Sequence, residues 1–229
     1  MNAITNIIWI SAASYILFFL VSFIAWKKEI ISLTVKTGSS QDLAGISIKN
    51  VAGITIFSPA LILFHNKWSN LFEWPSFVSP AQILIIFFLL LIVFSIALQH
   101  AVKKNKSWRS YKKEDELTPI SAIISYLAIR IVFLVIYECF FRGLLLSTCM
   151  DICNIQIAIA INLFLYASIH TFNGSTEMLT CIPFGIVLCG ITIYYQSILP
   201  AIALHLVLAL THEIHLLCSP ILSPKIVRS

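Results

Sequence analysis

Residues 178–212, MLTCIPFGIVLCGITIYYQSILPAIALHLVLALTH, contain no Lys, Arg, Asp or Glu from end to end. A helix crosses a hydrocarbon core of about 30 Å with about 20 apolar residues. The run is therefore too long for one span, and Gln196-Ser197 with Pro200 divides it into two. Working backward, Ile155 to His170 predicts a fifth span, and the stretch from Pro119 to Asp151, which carries Arg130 and Glu138, a fourth. Ala81 to Gln99 predicts a third, Val51 to His65, interrupted by Pro59, a second, and Asn2 to Trp26 a first. The expected fold is an all-α polytopic transmembrane bundle of about seven helices.

Composition agrees. Of 229 residues, 59% are apolar and 11% charged, against about 25% charged in soluble domains. That excludes a soluble domain, a disordered chain and a coiled coil. Lys103, Lys104, Lys106, Arg109, Lys112 and Lys113 are expected in one loop after the third span. Lys27, Lys28, Lys36 and Lys49 follow the first, and Lys225 and Arg228 the last. The positive-inside rule then sets the N-terminus outside and the C-terminus in the cytoplasm. Topology accounts for this basic loop, so nucleic-acid binding is not read from it. The N-terminus lacks a basic n-region and a cleavage site, so the first helix is expected to be retained. Residues 29–50 are expected to form a cytoplasmic linker, and Trp68, Phe72, Trp74 and Phe77 an interfacial aromatic belt. The six cysteines (139, 149, 153, 181, 189 and 218) form no CxxC pair and read as reduced packing residues.

Charge inside a membrane is costly, about 2.5–3.5 kcal/mol per side chain at mid-bilayer on insertion scales. The groups to explain are Arg130, Glu138, Arg142, His170, His205, His212, Glu213 and His215. Glu138 and Arg142, four apart, share a helix face. Asn162, Tyr166 and His170 form one polar stripe, and His205 and His212, seven apart, face the same way. A carboxylate and two imidazoles from Glu138, His170 and His205 can polarise a water for peptide hydrolysis, hold a divalent metal such as zinc, or line a proton path. A transporter's repeated halves are not evident. His212-Glu213-Ile214-His215 is one residue short of a zincin motif, which needs histidines at i and i+4.

Tyr137-Glu138-Cys139-Phe140-Phe141-Arg142-Gly143 resembles the EExxxR(G) segment of the CPBP family, the CAAX-prenyl-protease and bacteriocin-processing intramembrane proteins. Tyr166 to His170 resembles the family's second motif, with Tyr for the usual Phe, and His205 to Ala209 its third. The likeness covers about residues 117–217, a four-helix core preceded by the spans and basic loop of 1–113 and followed by a tail, 218–229. It implies an intramembrane endopeptidase acting on a membrane-associated or lipidated peptide, in which Glu138 and His170 activate water and His205 binds the oxyanion. Tyr137, Arg142, Tyr166, His212 and Glu213 are then supporting residues, and a divalent metal at Glu138, His170 and His205 stays open. Two positions depart from the family: its first glutamate, the usual base, falls on Tyr137, and its last asparagine on Ala209. Adjacent helical positions point about 100° apart, so Glu138 does not inherit the geometry of 137, and a phenol is a poor base at neutral pH. The alternative implied by those losses is an inactive family member, a membrane binding, scaffold or bacteriocin-immunity protein.

Overall fold

The computed structural model describes residues 3–27, 40–73, 78–108 and 118–222, with side chains for 4–27, 42–73, 78–104 and 118–218. Part of the expected linker, Trp74 and Phe77, the basic-loop cations Arg109, Lys112 and Lys113 and the tail cations Lys225 and Arg228 lie outside them. The helices are α1 (Ala3–Lys27), α2 (Ser40–Leu63), a short α3 (His65–Trp68), α4 (Pro80–Trp108), α5 (Ile120–Glu138), α6 (Leu146–Ile152), α7 (Ile155–His170), α8 (Ser175–Tyr195) and α9 (Leu199–Leu222). Between α5 and α6 the chain continues without a break as a π-helical turn, Cys139–Leu145. Seven helical stretches are long and apolar enough to cross a membrane, α5, the π turn and α6 counting as one, Ile120–Ile152. This is the all-α bundle the sequence predicts.

Local chemistry sets the ends. Before α4 the Ser79 hydroxyl accepts from the Gln82 amide (3.2 Å), and the Gln82 side chain accepts from the Ser79 amide (2.8 Å). That reciprocal pair is a capping box. Asn154 caps α7 by accepting from the Ile157 amide at 2.9 Å. Helix α8 stops at Gln196, whose φ of 49° is left-handed, and the Ser197 amide closes back on the Thr192 carbonyl at 3.2 Å. Pro200 then sits in the first turn of α9, where its missing N–H costs nothing.

Two expectations are corrected. Helix α2 begins at Ser40 and runs through Pro59, so residues 40–50 are helix rather than linker, and Lys49 is buried within the second span. The apolar residues Leu43, Ile46 and Leu61 carry the helix across this stretch, all buried. Lys103 and Lys104 likewise lie on α4, which extends to Trp108, instead of in a loop. Trp68 is also more than a belt residue: it packs on the core, and its indole N–H donates to the Leu61 carbonyl at 2.9 Å.

Helix α2 lies against α5, and α4 along α9. The close passage of α1, α2 and α5 rests on Gly53, where a Cβ would meet Phe133 at 2.4 Å and Phe18 at 2.8 Å. Small residues let membrane helices approach in this way. Tyr15 fastens α1 to α7 through the Leu165 carbonyl (3.1 Å) and the Ser168 hydroxyl (2.5 Å).

Candidate functional site

The π turn overlaps the motif segment Tyr137–Gly143 from Cys139 onward. A π turn leaves carbonyls misaligned with the α-helical ladder, and such turns recur at functional sites. Here the fully buried Asn162 of α7 donates to the Phe141 carbonyl at 2.6 Å, and its own oxygen accepts from the Cys189 thiol at 3.4 Å. Thr148 donates to the Leu144 carbonyl at 2.7 Å, and Ser147 donates to the Gly143 carbonyl. Polar groups that free the backbone from hydrocarbon thus hold the turn open.

Glu138 and Arg142, both with no exposed surface, pair across this turn, Nε to Oε2 at 3.4 Å. The other carboxylate oxygen lies 2.5 Å from Nδ1 of His205 on α9. The Arg142 guanidinium stacks on the Tyr166 ring at 4.4 Å, and its Nη1 and Nη2 find no partner. The His170 ring lies 5.0 Å from the Tyr166 ring. It forms no ion pair with Glu138, whose ion-pair partners among the described residues are Arg142 and His205.

Tyr137 points into the same cluster, its ring 6.2 Å from His205, 6.0 Å from Tyr166 and 4.5 Å from Phe141, with its buried hydroxyl unbonded. Ala209 packs on this cluster as well. Asn162, Tyr166 and His170 share an inward face as their spacing predicts.

His212 and Glu213 do not join this site. The His212 ring meets His100 of α4 at 5.3 Å. Glu213 takes Arg130 Nε and Nη2, each at 3.1 Å, and the Tyr126 hydroxyl at 2.8 Å. Arg130 Nη1 also donates to Asn50 of α2 at 3.4 Å. Helices α5 and α9 run antiparallel, so two polar rungs cross between them, Glu138–His205 and Arg130–Glu213. They stand eight residues apart on both helices, about 12 Å. His212 and Glu213, expected from the sequence as supporting residues, make these other contacts because α9 leaves the Glu138 level before reaching them.

A metal is also a poor fit. Among the described residues no three His, Cys, Asp or Glu side chains gather closely enough to hold one. The Glu138 carboxylate is already divided between Arg142 and His205. All six cysteines are free. No step is routed through a metal.

Sequence reasoning missed the second rung, though it singled out both Arg130 and Glu213, and it missed Lys49 and Asn50 as membrane residues. The available signal was the apolar spacing of Leu43, Ile46 and Phe57 around them, which continues the helical pattern of the second span.

Fold and site together define a polytopic helical membrane protein with a carboxylate–imidazole pair sealed in its core. Residues 119–211 match the family model of type II CAAX prenyl endopeptidase Rce1-like proteins, which bears out the CAAX-protease resemblance over that segment. No curated protein and no solved structure matches the chain.

Proposed function

We propose that this chain is a CAAX-protease-type intramembrane endopeptidase that hydrolyses a peptide bond in a membrane-associated, lipidated substrate. The observation that carries the proposal is the 2.5 Å contact between Glu138 and His205 Nδ1. A carboxylate on Nδ1 fixes the tautomer and the ring orientation, leaving Nε2 to accept a proton. In this reading water loses a proton to His205 Nε2 as its oxygen adds to the substrate carbonyl. When the tetrahedral adduct collapses, the C–N bond breaks and the imidazolium returns the proton to the leaving amine. The unbonded guanidinium nitrogens of Arg142 and the His170 imidazole stabilise the oxyanion. The roles of His170 and His205 are thus exchanged relative to the family pattern, because Glu138 contacts His205.

A second reading is favoured by Tyr137. Its ring lies 4.5–5.4 Å from Phe141 and Phe133, so the family's base position is filled by a packed aromatic. On that reading the frame binds a lipidated peptide or membrane partner without cutting it.

Residues 117–217 carry the site in either case, and the helices of 1–113 complete its walls. In this reading the N-terminus is outside: helix alternation brings Lys27 and Lys103-Lys104 to one side, which the positive-inside rule makes the cytoplasmic one.

The test is cleavage of prenylated and unmodified membrane peptides by the purified protein beside Glu138→Gln, His205→Ala, His170→Ala and Tyr137→Glu. The peptidase reading expects cleavage by the native chain and at least a hundredfold loss in Glu138→Gln and His205→Ala. Cleavage only in Tyr137→Glu establishes the noncatalytic reading. If every variant is inert, including Tyr137→Glu, the peptidase assignment is wrong.

A further inference from the structure

Among the described residues four tyrosines are buried, Tyr126, Tyr137, Tyr166 and Tyr195. Buried phenols normally find a hydrogen-bond partner, and three of these do. Tyr126 donates to Glu213 at 2.8 Å, Tyr195 donates to the Gln82 carbonyl at 2.6 Å, and the Tyr166 hydroxyl pairs with the Cys181 thiol. The Tyr137 hydroxyl has no partner among the described residues, although the residue is only 3% exposed. Packing does not call for it. The ring lies among Phe57, Phe133 and Phe141, where phenylalanine would fill the space without stranding a donor.

The stranded hydroxyl belongs to the Glu138–His205 site. Its ring stands edge-on to the His205 imidazole, centroids 6.2 Å apart and planes at 79°, and the phenol feels the charges of Arg142 and Glu138. Arg142 Nη1 and Nη2 are orphaned donors of the same site. What would satisfy all of them is an oxygen acceptor. A permanent anion fits poorly, because Glu138 already balances Arg142 and further charge would be uncompensated in hydrocarbon. A carbonyl oxygen fits, since it becomes anionic only as His205 becomes an imidazolium, and the site then gains no net charge.

We propose that the Tyr137 hydroxyl is a catalytic hydrogen-bond donor to the oxygen of the scissile carbonyl. The proposal rests on the peptidase reading above and adds to it a residue otherwise read as a packed aromatic. As the water oxygen bonds to the carbonyl carbon, the C=O π pair moves onto oxygen, and Tyr137 donates to that oxygen while keeping its own proton. When the adduct collapses the pair returns, the C–N bond breaks and the proton held on His205 passes to the amine, so the phenol ends unchanged. A phenol suits this role, being a poor base at neutral pH but an O–H donor. Such a donor stabilises the transition state more than the bound substrate, because its acceptor gains charge only there.

The experiment compares the native protein with Tyr137→Phe in neutral-lipid nanodiscs. It follows cleavage of a prenylated peptide and binding of its phosphinate analogue, in which a tetrahedral, anionic phosphorus centre replaces the scissile carbonyl. Removing one such donor should lower kcat roughly a hundredfold and leave KM unchanged. The phosphinate should bind the native protein more tightly than the peptide does, and Tyr137→Phe should lose that preference by about the factor it loses in kcat. The variant should melt at or above the native temperature, because the hydroxyl it removes has no partner to lose. A native kcat in Tyr137→Phe overturns the donor and leaves the peptidase reading standing. A melting temperature that falls with kcat marks a structural hydroxyl and overturns the donor as well. If the native chain neither cleaves the peptide nor prefers the phosphinate, the donor and the peptidase reading fall together.

Discussion

Replacing Glu213 with glutamine tests whether the second rung is an ion pair that the fold requires. The substitution conserves shape but removes the charge that Arg130 meets with two nitrogens at 3.1 Å and Tyr126 with a hydroxyl at 2.8 Å. Both charged side chains are nearly inaccessible, at 10% and 3% exposure, so solvent screens the pair little. Breaking one partner of a buried pair costs about 3–5 kcal/mol, because the other charge is stranded. In Glu213→Gln, Arg130 is stranded near Lys49, a buried cation with no carboxylate partner among the described residues. At about 2–4 °C per kcal/mol for a chain of this size, melting should fall by roughly 6–20 °C. The assay is thermal unfolding in nanodiscs, followed by tryptophan fluorescence. The double variant Arg130→Met/Glu213→Leu removes both charges and is expected to recover most of the loss. If Glu213→Gln melts within about 2 °C of the native protein, or the double variant melts as low as the single one, the reasoning fails.

Gly53→Val should destabilise by about 1–3 kcal/mol or prevent folding, since its Cβ would fall 2.4 Å from Phe133; expression and melting report it, and a native-like melt argues against the close passage of α1, α2 and α5. Asn162→Leu strands the Phe141 carbonyl in hydrocarbon, at a cost of about 1–3 kcal/mol. The loss should appear as lower thermal stability and lower activity together, because the carbonyl belongs to the π turn that aims Arg142. Treatment with a chelator should leave the melting temperature unchanged, since Glu138 is committed to Arg142 and His205; a drop restored by zinc would contradict that.

The spans were readable because hydrocarbon imposes a length and a polarity on each one, and both are written directly in the residues. Ile155–His170 matches its expected bounds for that reason. Helix α2 was read short because Lys49 and Asn50 look like loop residues when charge is taken as a loop marker. Their burial depends on Arg130 and Phe18, which come from two other helices. The Glu138–Arg142 pair was legible because it is local, four residues along one helix. The Glu138–His205 contact was not, since spacing within a helix says which residues share a face but not which neighbour that face meets. His212 makes the same point: seven residues beyond His205, it meets α4 instead of the site. The π turn left no mark in apolar periodicity, because nearly every residue there is apolar and buried on all sides.

That turn gives the fourth span a rotational phase. Reverting it to α-helical pairing by deleting one residue between 139 and 145 would turn everything beyond it by about 100° relative to α5. Gly143 would lose its seat against Trp68, and Asp151 its partner Lys67. Asn162 would be left facing a repaired ladder with no carbonyl to bind. Substitutions in this segment alter contacts one at a time, whereas a change in its length re-indexes the whole extramembrane end of the span. Its residue count is therefore as much a determinant of the site as its residue types.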